Sequence, residues 1–357
     1  MTMNPRFLLL ACLSIAVSAQ LEPFTFLDIK IPLLDDLNPT VILEAFTQFI
    51  KEFGKIYPNP VAYANALKNF GENLKRVIEL NTKFESLGTK FGINQYNDLT
   101  TDEFKKLLIK EEVINNKTNF YAPDISEDDR ISYQALPATY DWRNYANVVG
   151  PVRSQGGCGC CWAFASAAVV QSAYAMKYKK LIQPSDAQLC DCGMGQAGCN
   201  GGNAYSAFNY VKTKGMSIES SYPLYTDQRA KTYSSCEDTS KPNNIKIASY
   251  AAVSPKTEEA IKKALYLYGP MYIAIKVGDS FRYYKSGVFS NTDCDQPATY
   301  LGRHAMTLIG YNSAAGVPYW VIKNSWNTGW GQSGYIHMRR GTNICGLETN
   351  DALYVTF

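Results

Sequence analysis

Histidine is scarce in this chain: 357 residues hold two, His304 and His337. Any chemistry that needs an imidazole base therefore has two candidates. Charge of one sign is lacking too. Lys and Arg number 35 against 32 Asp and Glu, a formal net charge of +3, and no basic block concentrates it, which argues against a nucleic-acid or anionic-membrane partner. Outside residues 7–17, no apolar stretch approaches the ~20 residues that span a bilayer. Between Cys199 and Cys236 there is no histidine at all.

The apolar run at residues 7–17 follows Arg6 and ends in Val17-Ser18-Ala19. A short apolar core before a small-residue cleavage site makes residues 1–19 a secretory signal peptide. That route is oxidising and permits disulfides, so the ten cysteines need partners, apart from Cys12, which leaves with the signal. Residues 42–108 are helical in pattern and rich in charge, and on periodicity alone describe a plain helical bundle. Residues 109–135 mix Glu111, Glu112, Asp124, Glu127, Asp128 and Asp129 with little apolar periodicity, as suits an exposed linker open to proteolysis. Within it, Asn116-Lys117-Thr118 is a glycosylation sequon.

The most informative run is Gln155-Gly156-Gly157-Cys158-Gly159-Cys160-Cys161-Trp162-Ala163-Phe164. A glycine-bearing loop gives way to an alanine-rich stretch reaching about Met176, which predicts a buried helix with Cys161 in its first turn. There the unsatisfied N–H groups and the helix dipole favour thiolate over thiol. Of the two histidines, His337 lies in the alternating run Gly334-Tyr335-Ile336-His337-Met338 and reads as a sheet-face residue. His304 precedes Ala305-Met306-Thr307-Leu308-Ile309-Gly310-Tyr311, a buried-strand pattern, which places it at a strand head facing a cleft.

Helical patterns fill the chain from Cys161 to about Lys214. Strand patterns follow at 271–277, 305–311, 319–323 and 334–338. Helices first and strands afterwards predict an α+β fold in two lobes, with Cys161 on the helical lobe, His304 on the strand lobe and a cleft between them for an extended peptide.

The Cys161 segment resembles the active-site signature of papain-like cysteine peptidases, and His304 falls in the downstream window of about 130–150 residues where that family carries its base. Lys323-Asn324-Ser325-Trp326-Asn327-Thr328-Gly329-Trp330-Gly331 is similar to the family's asparagine segment. The resemblance implies that Cys161 is the nucleophile, that His304 takes its proton and later protonates the leaving amine, and that Asn324 orients the imidazole. Trp326 would cover that bond, and Gln155 with the Cys161 N–H would hold the oxyanion. Neither metal nor cofactor enters this chemistry. Substrate contacts implied by position are the Gly201-Gly202 turn and a small-walled pocket of Asn203, Ala204, Ala274, Gly302, Ala305 and Asn350, suited to an apolar or modestly polar side chain. The family pattern pairs Cys158 with Cys199, Cys192 with Cys236 and Cys294 with Cys345. Cys160 and Cys190 are left either as a fourth bridge or as two thiols.

Upstream, residues 70–81 and Gly92-Ile93-Asn94-Gln95-Tyr96-Asn97-Asp98 resemble the two motifs of the family's inhibitory pro-segment. Ala62 and Ala66 stand where an ion pair is usual, which predicts a weakened pro-domain. Leu136 onwards resembles the mature start, giving a peptidase domain at 136–357 released by cleavage in the linker. The implied protein is an endopeptidase zymogen of the cathepsin L-like branch, monomeric, acting on proteins or peptides in the lysosome or outside the cell. The missing histidine insertion argues against a cathepsin B-like exopeptidase. Arg303, beside His304, departs from the family pattern and leaves the pH dependence open. The rival reading is a catalytically silent homologue that binds peptides or matrix.

Overall fold

The computed structural model describes residues 34–110, 136–194, 198–222, 236, 242, 244–313 and 316–357. The signal sequence, the sequon Asn116 and most of the 109–135 linker lie outside the described residues.

The N-terminal unit is built on α1 (Pro39–Phe53), α2 (Pro60–Lys83) and the short α3 (Thr101–Lys105). Asn38 and Asn59 cap the first two helices with side-chain oxygens, each before a proline at the first helical position, where the missing N–H costs nothing. Thr100 and Glu103 form a reciprocal capping box on the third. Phe46 and Phe49 of α1 pack against Phe70, Leu74 and Ile78 of α2. The helical pattern over 42–108 is interrupted between α2 and α3: residues 90–91 form a strand, β1 (Lys90–Phe91), and Asn94, Asn97 and Tyr96 fold into a turn held by the Asn94 and Asn97 side chains. Asp98 accepts from Lys55 Nζ and Tyr57 Oη, each at 2.9 Å, so it braces this unit internally.

The larger unit has two lobes. Its N-terminal strand, β2 (Tyr140–Asp141), leads to a helical lobe of α4 (Cys161–Tyr178), α5 (Asp186–Cys192) and α6 (Ala204–Thr213). Alanines let α4 pack closely on most of its circumference, as its buried residues show. The second lobe is a sheet of β3 (Ser249–Ala252), β4 (Met271–Gly278), β6 (Val288–Phe289), β7 (Tyr300–Asn312), β8 (Tyr319–Lys323), β9 (Tyr335–Arg339) and β10 (Leu353–Thr356), in the order β3-β10-β4-β7-β8-β9-β6. Strand β2 adds to β7 by pairing Tyr140 with Tyr311. A further helix, α7 (Glu258–Tyr268), lies between β3 and β4, in the stretch between about Lys214 and Met271 to which the sequence pattern assigned neither helix nor strand. Disulfides join Cys158 to Cys199, Cys192 to Cys236 and Cys294 to Cys345.

His304 does not stand at a strand head. The apolar run begins at Ala305, but the β4–β7 ladder continues upstream through Arg303 opposite Lys276 and Gly302 opposite Val277. His304 is thus held inside the strand, opposite Ile275. With ladder pairs before and after it along β7, His304 has little backbone freedom.

The two units meet through backbone. Strand β1 pairs antiparallel with β5 (Tyr284–Ser286), and Ile109 exchanges N–H···O bonds of 2.7 and 3.1 Å with Arg303. Arg76 Nε donates to Asp279 at 2.8 Å.

The structure shows what occupies the place of the ion pair whose absence led to the expectation of a weakened pro-domain. Ala66 is 6% exposed and belongs to the apolar core with Phe46, Phe49 and Phe70; the missing ion pair is replaced by packing. Ala66→Arg is therefore expected to destabilise the N-terminal unit by about 1–3 kcal/mol through overpacking, even with Ala62→Glu beside it. Thermal melts of the zymogen with and without the double substitution test this. An unchanged or higher midpoint would show that the core accommodates the charge.

Candidate active site

Cys161 is the first residue of α4, and the capping residue Cys160 makes no side-chain cap bond. The Cys161 Sγ accepts the Ala305 N–H at 3.4 Å, so the neighbour of His304 in β7 anchors the thiol across the junction of the lobes. His304 Nε2 and Asn324 Oδ1 are 2.7 Å apart. That oxygen also accepts the Ser325 N–H at 2.7 Å. An acceptor on Nε2 fixes the tautomer with the proton there. His304 Nδ1 is buried with no hydrogen-bond partner among the described residues, leaving this nitrogen able to take a proton. Trp326 lies over the imidazole, ring centres 4.4 Å apart and planes at 31°.

Gln155 is held at both ends. Its Oε1 accepts from Ser325 Oγ at 2.7 Å and Trp326 Nε1 at 3.1 Å. Its Nε2 donates to the carbonyls of Cys158 at 2.7 Å and Leu107 at 2.9 Å. The second acceptor belongs to the N-terminal unit, whose chain crosses the site here. A side chain on Gly159 would clash first with the Cys199 carbonyl, and would stand 3.0 Å from the Lys106 carbonyl and 3.3 Å from that of Leu108, so the disulfide-linked loop already demands glycine and the pro-segment passes closely over it.

Burial decides the charge state. Cys161 and His304 are both fully buried. Loss of water pushes the thiol up to about 12, against the Ala305 N–H and the backbone N–H groups of the first helical turn, which favour the thiolate. The helix terminus thus acts in the direction expected from the sequence but is outweighed by desolvation. Burial likewise holds the imidazole down at about 4, opposed by the bond to Asn324. The covered pair is a neutral thiol beside a neutral imidazole. Arg303 reaches Asn350 Oδ1 at 3.2 Å, so its guanidinium is engaged with the pocket asparagine.

Other residues singled out from the sequence fall as follows. Gly201 has φ +98°, a conformation that favours glycine. At Gly202 the obstacle to a side chain is the Trp162 indole, so packing alone already requires a glycine. Asn203 caps α6 through Oδ1 on the Ser206 N–H and donates Nδ2 to Met194 Sδ at 3.4 Å. Ala204 and Ala305 are buried, and Asn350 Nδ2 donates to the Ala274 carbonyl at 2.8 Å. A side chain on Gly302 would stand 3.3 Å from Leu108 Cβ, so a leucine of the N-terminal unit lies against this wall. His337 sits on β9, stacked on Tyr319 at 4.4 Å, away from the constellation.

Sequence reasoning missed two parts of the site. Phe281 packs edge-on to both His304 and Trp326, and no motif marks it. Behind Asn324, Arg153 bridges Glu219, at 2.7 Å for each nitrogen, and Asp186. Burial raises Asp186 to about 7, opposed mainly by Arg153, and lowers the nearby Lys323 to about 8. The neighbours of Gln155 and Asn324 in the chain carry this buried charge cluster, a signal visible only in three dimensions.

Residues 136–355 match the family described as Papain family cysteine protease, and residues 46–104 match the Cathepsin propeptide inhibitor domain (I29). The chain is similar to thiol protease aleurain of Arabidopsis thaliana, 35% identical over 85% of this chain and 82% of that protein. It is similar to pro-cathepsin H of Medicago truncatula, 34% identical over 90% and 89% of the two chains. Among solved structures, digestive procathepsin L 3 of Tenebrio molitor larval midgut superposes with a TM-score of 0.75 at 29% identity, covering 89% of this chain and 99% of that one.

The neutral pair gives a pH dependence with a definite sign. An uncovered imidazole protonates near its ordinary value of 6.5, whereas the covered one waits until about 4. Between these values the covered state binds fewer protons, so its stability falls as pH drops through that window. At neutral pH, Cys161 in the intact zymogen should react with iodoacetamide at least about 100-fold more slowly than a cysteine of ordinary pKa near 8.5, and the rate of uncovering should rise from pH 6.5 towards 4. Fast alkylation of the intact zymogen at pH 7 would contradict the neutral pair.

Proposed function

Since the chain belongs to the papain family of cysteine proteases and is a cysteine peptidase made as a zymogen with its own pro-segment inhibitor, we propose that Cys161, His304, Asn324 and Gln155 carry its catalysis. The observation that supports this is their convergence at the lobe junction beneath Trp326, with a pro-segment carbonyl, that of Leu107, on the Gln155 amide.

Once the cleft is uncovered, water returns and the thiolate–imidazolium form becomes accessible. His304 Nδ1 takes the Cys161 proton, and the thiolate adds to the scissile carbonyl. The resulting oxyanion lies between Gln155 Nε2 and the Cys161 N–H. The imidazolium gives its proton to the leaving amine, leaving an acyl-enzyme. His304 then draws a proton from water, which attacks the thioester, and the returned proton frees the cysteine with the acid product. In the zymogen the Leu107 carbonyl engages the same Gln155 donor, so the inhibitor competes for the oxyanion site directly.

The proposed organisation is a signal peptide at 1–19, a pro-domain at 42–108, a linker at 109–135 cleaved during maturation together with any glycan on Asn116, and a monomeric peptidase at 136–357. Proteins and peptides are cleaved internally. The pocket formed by Asn203, Ala204, Ala274, Gly302, Ala305 and Asn350, beside the Gly201-Gly202 turn, takes an apolar or modestly polar side chain. In the zymogen Leu108 lies along its Gly302 wall. The route is secretory, ending in the lysosome, an equivalent vacuole or the exterior. No helix among the described residues is long and apolar enough to cross a membrane. Nothing favours the catalytically silent alternative.

Cys161→Ser should abolish peptide hydrolysis and labelling by a thiol-reactive epoxide peptide while leaving the fold intact. His304→Ala should lower kcat/KM by about 10²–10⁴-fold, the usual share of a general acid–base, and slow alkylation of Cys161 in the mature enzyme. His337→Ala should change neither. Equal losses from the two histidine variants would refute the assignment of the base.

A further inference from the structure

Three sulfur atoms beside the thiol–imidazole pair gather within 4.8 Å of one another: those of Cys158, Cys160 and Cys190. Cys158 is bonded to Cys199. Cys160 and Cys190 carry thiols, both fully buried. Cys160 precedes the first residue of α4, and Cys190 lies inside α5. Of the ten cysteines, Cys12 lies in the leader and six are paired. If Cys160 and Cys190 also pair, the one sulfur left over in the secreted chain is that of Cys161.

We propose that Cys160 and Cys190 form a fourth disulfide, which ties the start of α4 to α5 and leaves Cys161 as the only thiol of the secreted zymogen. This goes beyond the catalytic assignment and does not depend on it. The oxidant is a disulfide-bearing oxidoreductase or small-molecule disulfide of the secretory route. One thiolate of the pair attacks it and displaces a thiolate, giving a mixed disulfide. The second thiolate attacks the protein sulfur of that mixed disulfide and displaces the remaining oxidant thiolate. The Sγ–Sγ bond forms, the oxidant's S–S bond breaks, and its two sulfurs take up the two electrons and the two protons.

The cost of leaving the pair reduced follows from the same distances. A thiolate at Cys160 or Cys190 has the Cys158–Cys199 bond within its reach, and exchange there would release Cys199 and the adjoining Gly201-Gly202 turn. Cys160 is also the chain neighbour of Cys161. Oxidising Cys160 onto Cys190 removes both hazards without touching the Cys161 thiol, whose raised pKa protects it while it is covered.

The test counts thiols on the secreted full-length zymogen. The chain is denatured without reductant in the presence of N-ethylmaleimide, then reduced and treated with iodoacetamide, and mass spectrometry of peptides locates each label. The first label is expected on Cys161 alone, with Cys160 and Cys190 carrying the second. A first label on both Cys160 and Cys190 overturns the proposal, as does one on Cys158 or Cys199. Cys160→Ser sharpens the outcome: the number of first-labelled cysteines rises from one to two if the bridge exists, because Cys190 loses its partner, and falls from three to two if it does not. Cys161→Ser, inactive but otherwise intact, should show no first label, which separates the count from any failure of the catalytic assignment.

Discussion

The indole of Trp326 is the contact on which the rest of the site depends. It covers the imidazole at 4.4 Å and donates Nε1 to Gln155 Oε1. It takes Phe281 and Trp330 edge-on at 5.7 and 5.2 Å. From the pro-segment it receives Tyr96 at 5.5 Å and Phe104 at 5.3 Å, and its carbonyl accepts from Gln95. Truncating a buried tryptophan costs about 3–5 kcal/mol in most cores. Here one side chain also packs on the His304 imidazole, holds the Gln155 amide and forms the floor on which Tyr96 and Phe104 of the pro-segment sit, so these contacts cannot be altered independently at this position.

That shared floor links inhibition to electrostatics. Covering the cleft blocks substrate, and the same burial discharges the catalytic pair. The closed chain is thus inert in two ways that share one cause. The covered imidazole resists protonation, and Asp98, the carboxylate within the sequence motif, is tied to Lys55 and Tyr57 inside the pro-domain.

Much of this was legible in the sequence because it was written locally. The glycine loop running into alanines located the start of α4 at Cys161, and the scarcity of histidine left little choice of base. Segregated patterns foretold two lobes. What was hidden depends on partners far along the chain. The beginning of β7 follows from its ladder with β4, which starts upstream of the apolar pattern. Strand β1 has no hydrophobic signature because its order comes from pairing with β5. The surroundings of Ala66 were hidden as well, since a motif comparison sees a lost ion pair but not the phenylalanines packed about its place. Phe281 and the charge cluster behind Asn324 lacked any sequence marker.

Arg282 gives the pro-domain contact a built-in limit. Its guanidinium is buried between Phe104 and Tyr283, with ring centroids at 5.5 and 4.4 Å, and donates to Asn73 and Tyr283. Its Nε and Nη1 have no hydrogen-bond partner among the described residues, and the nearest carboxylate, Asp279, lies 3.9 Å away while bonded to Arg76 of the pro-domain. Burying a cation with donors unsatisfied is costly. Inside one chain that cost is carried by tethering, because the pro-domain is never far from its seat. A pro-domain no longer joined to the chain would lose that advantage, and its empty seat would open Arg282 to water. Rebinding would then have to strip the guanidinium of its water again, so the contact favours a tethered partner over a detached one.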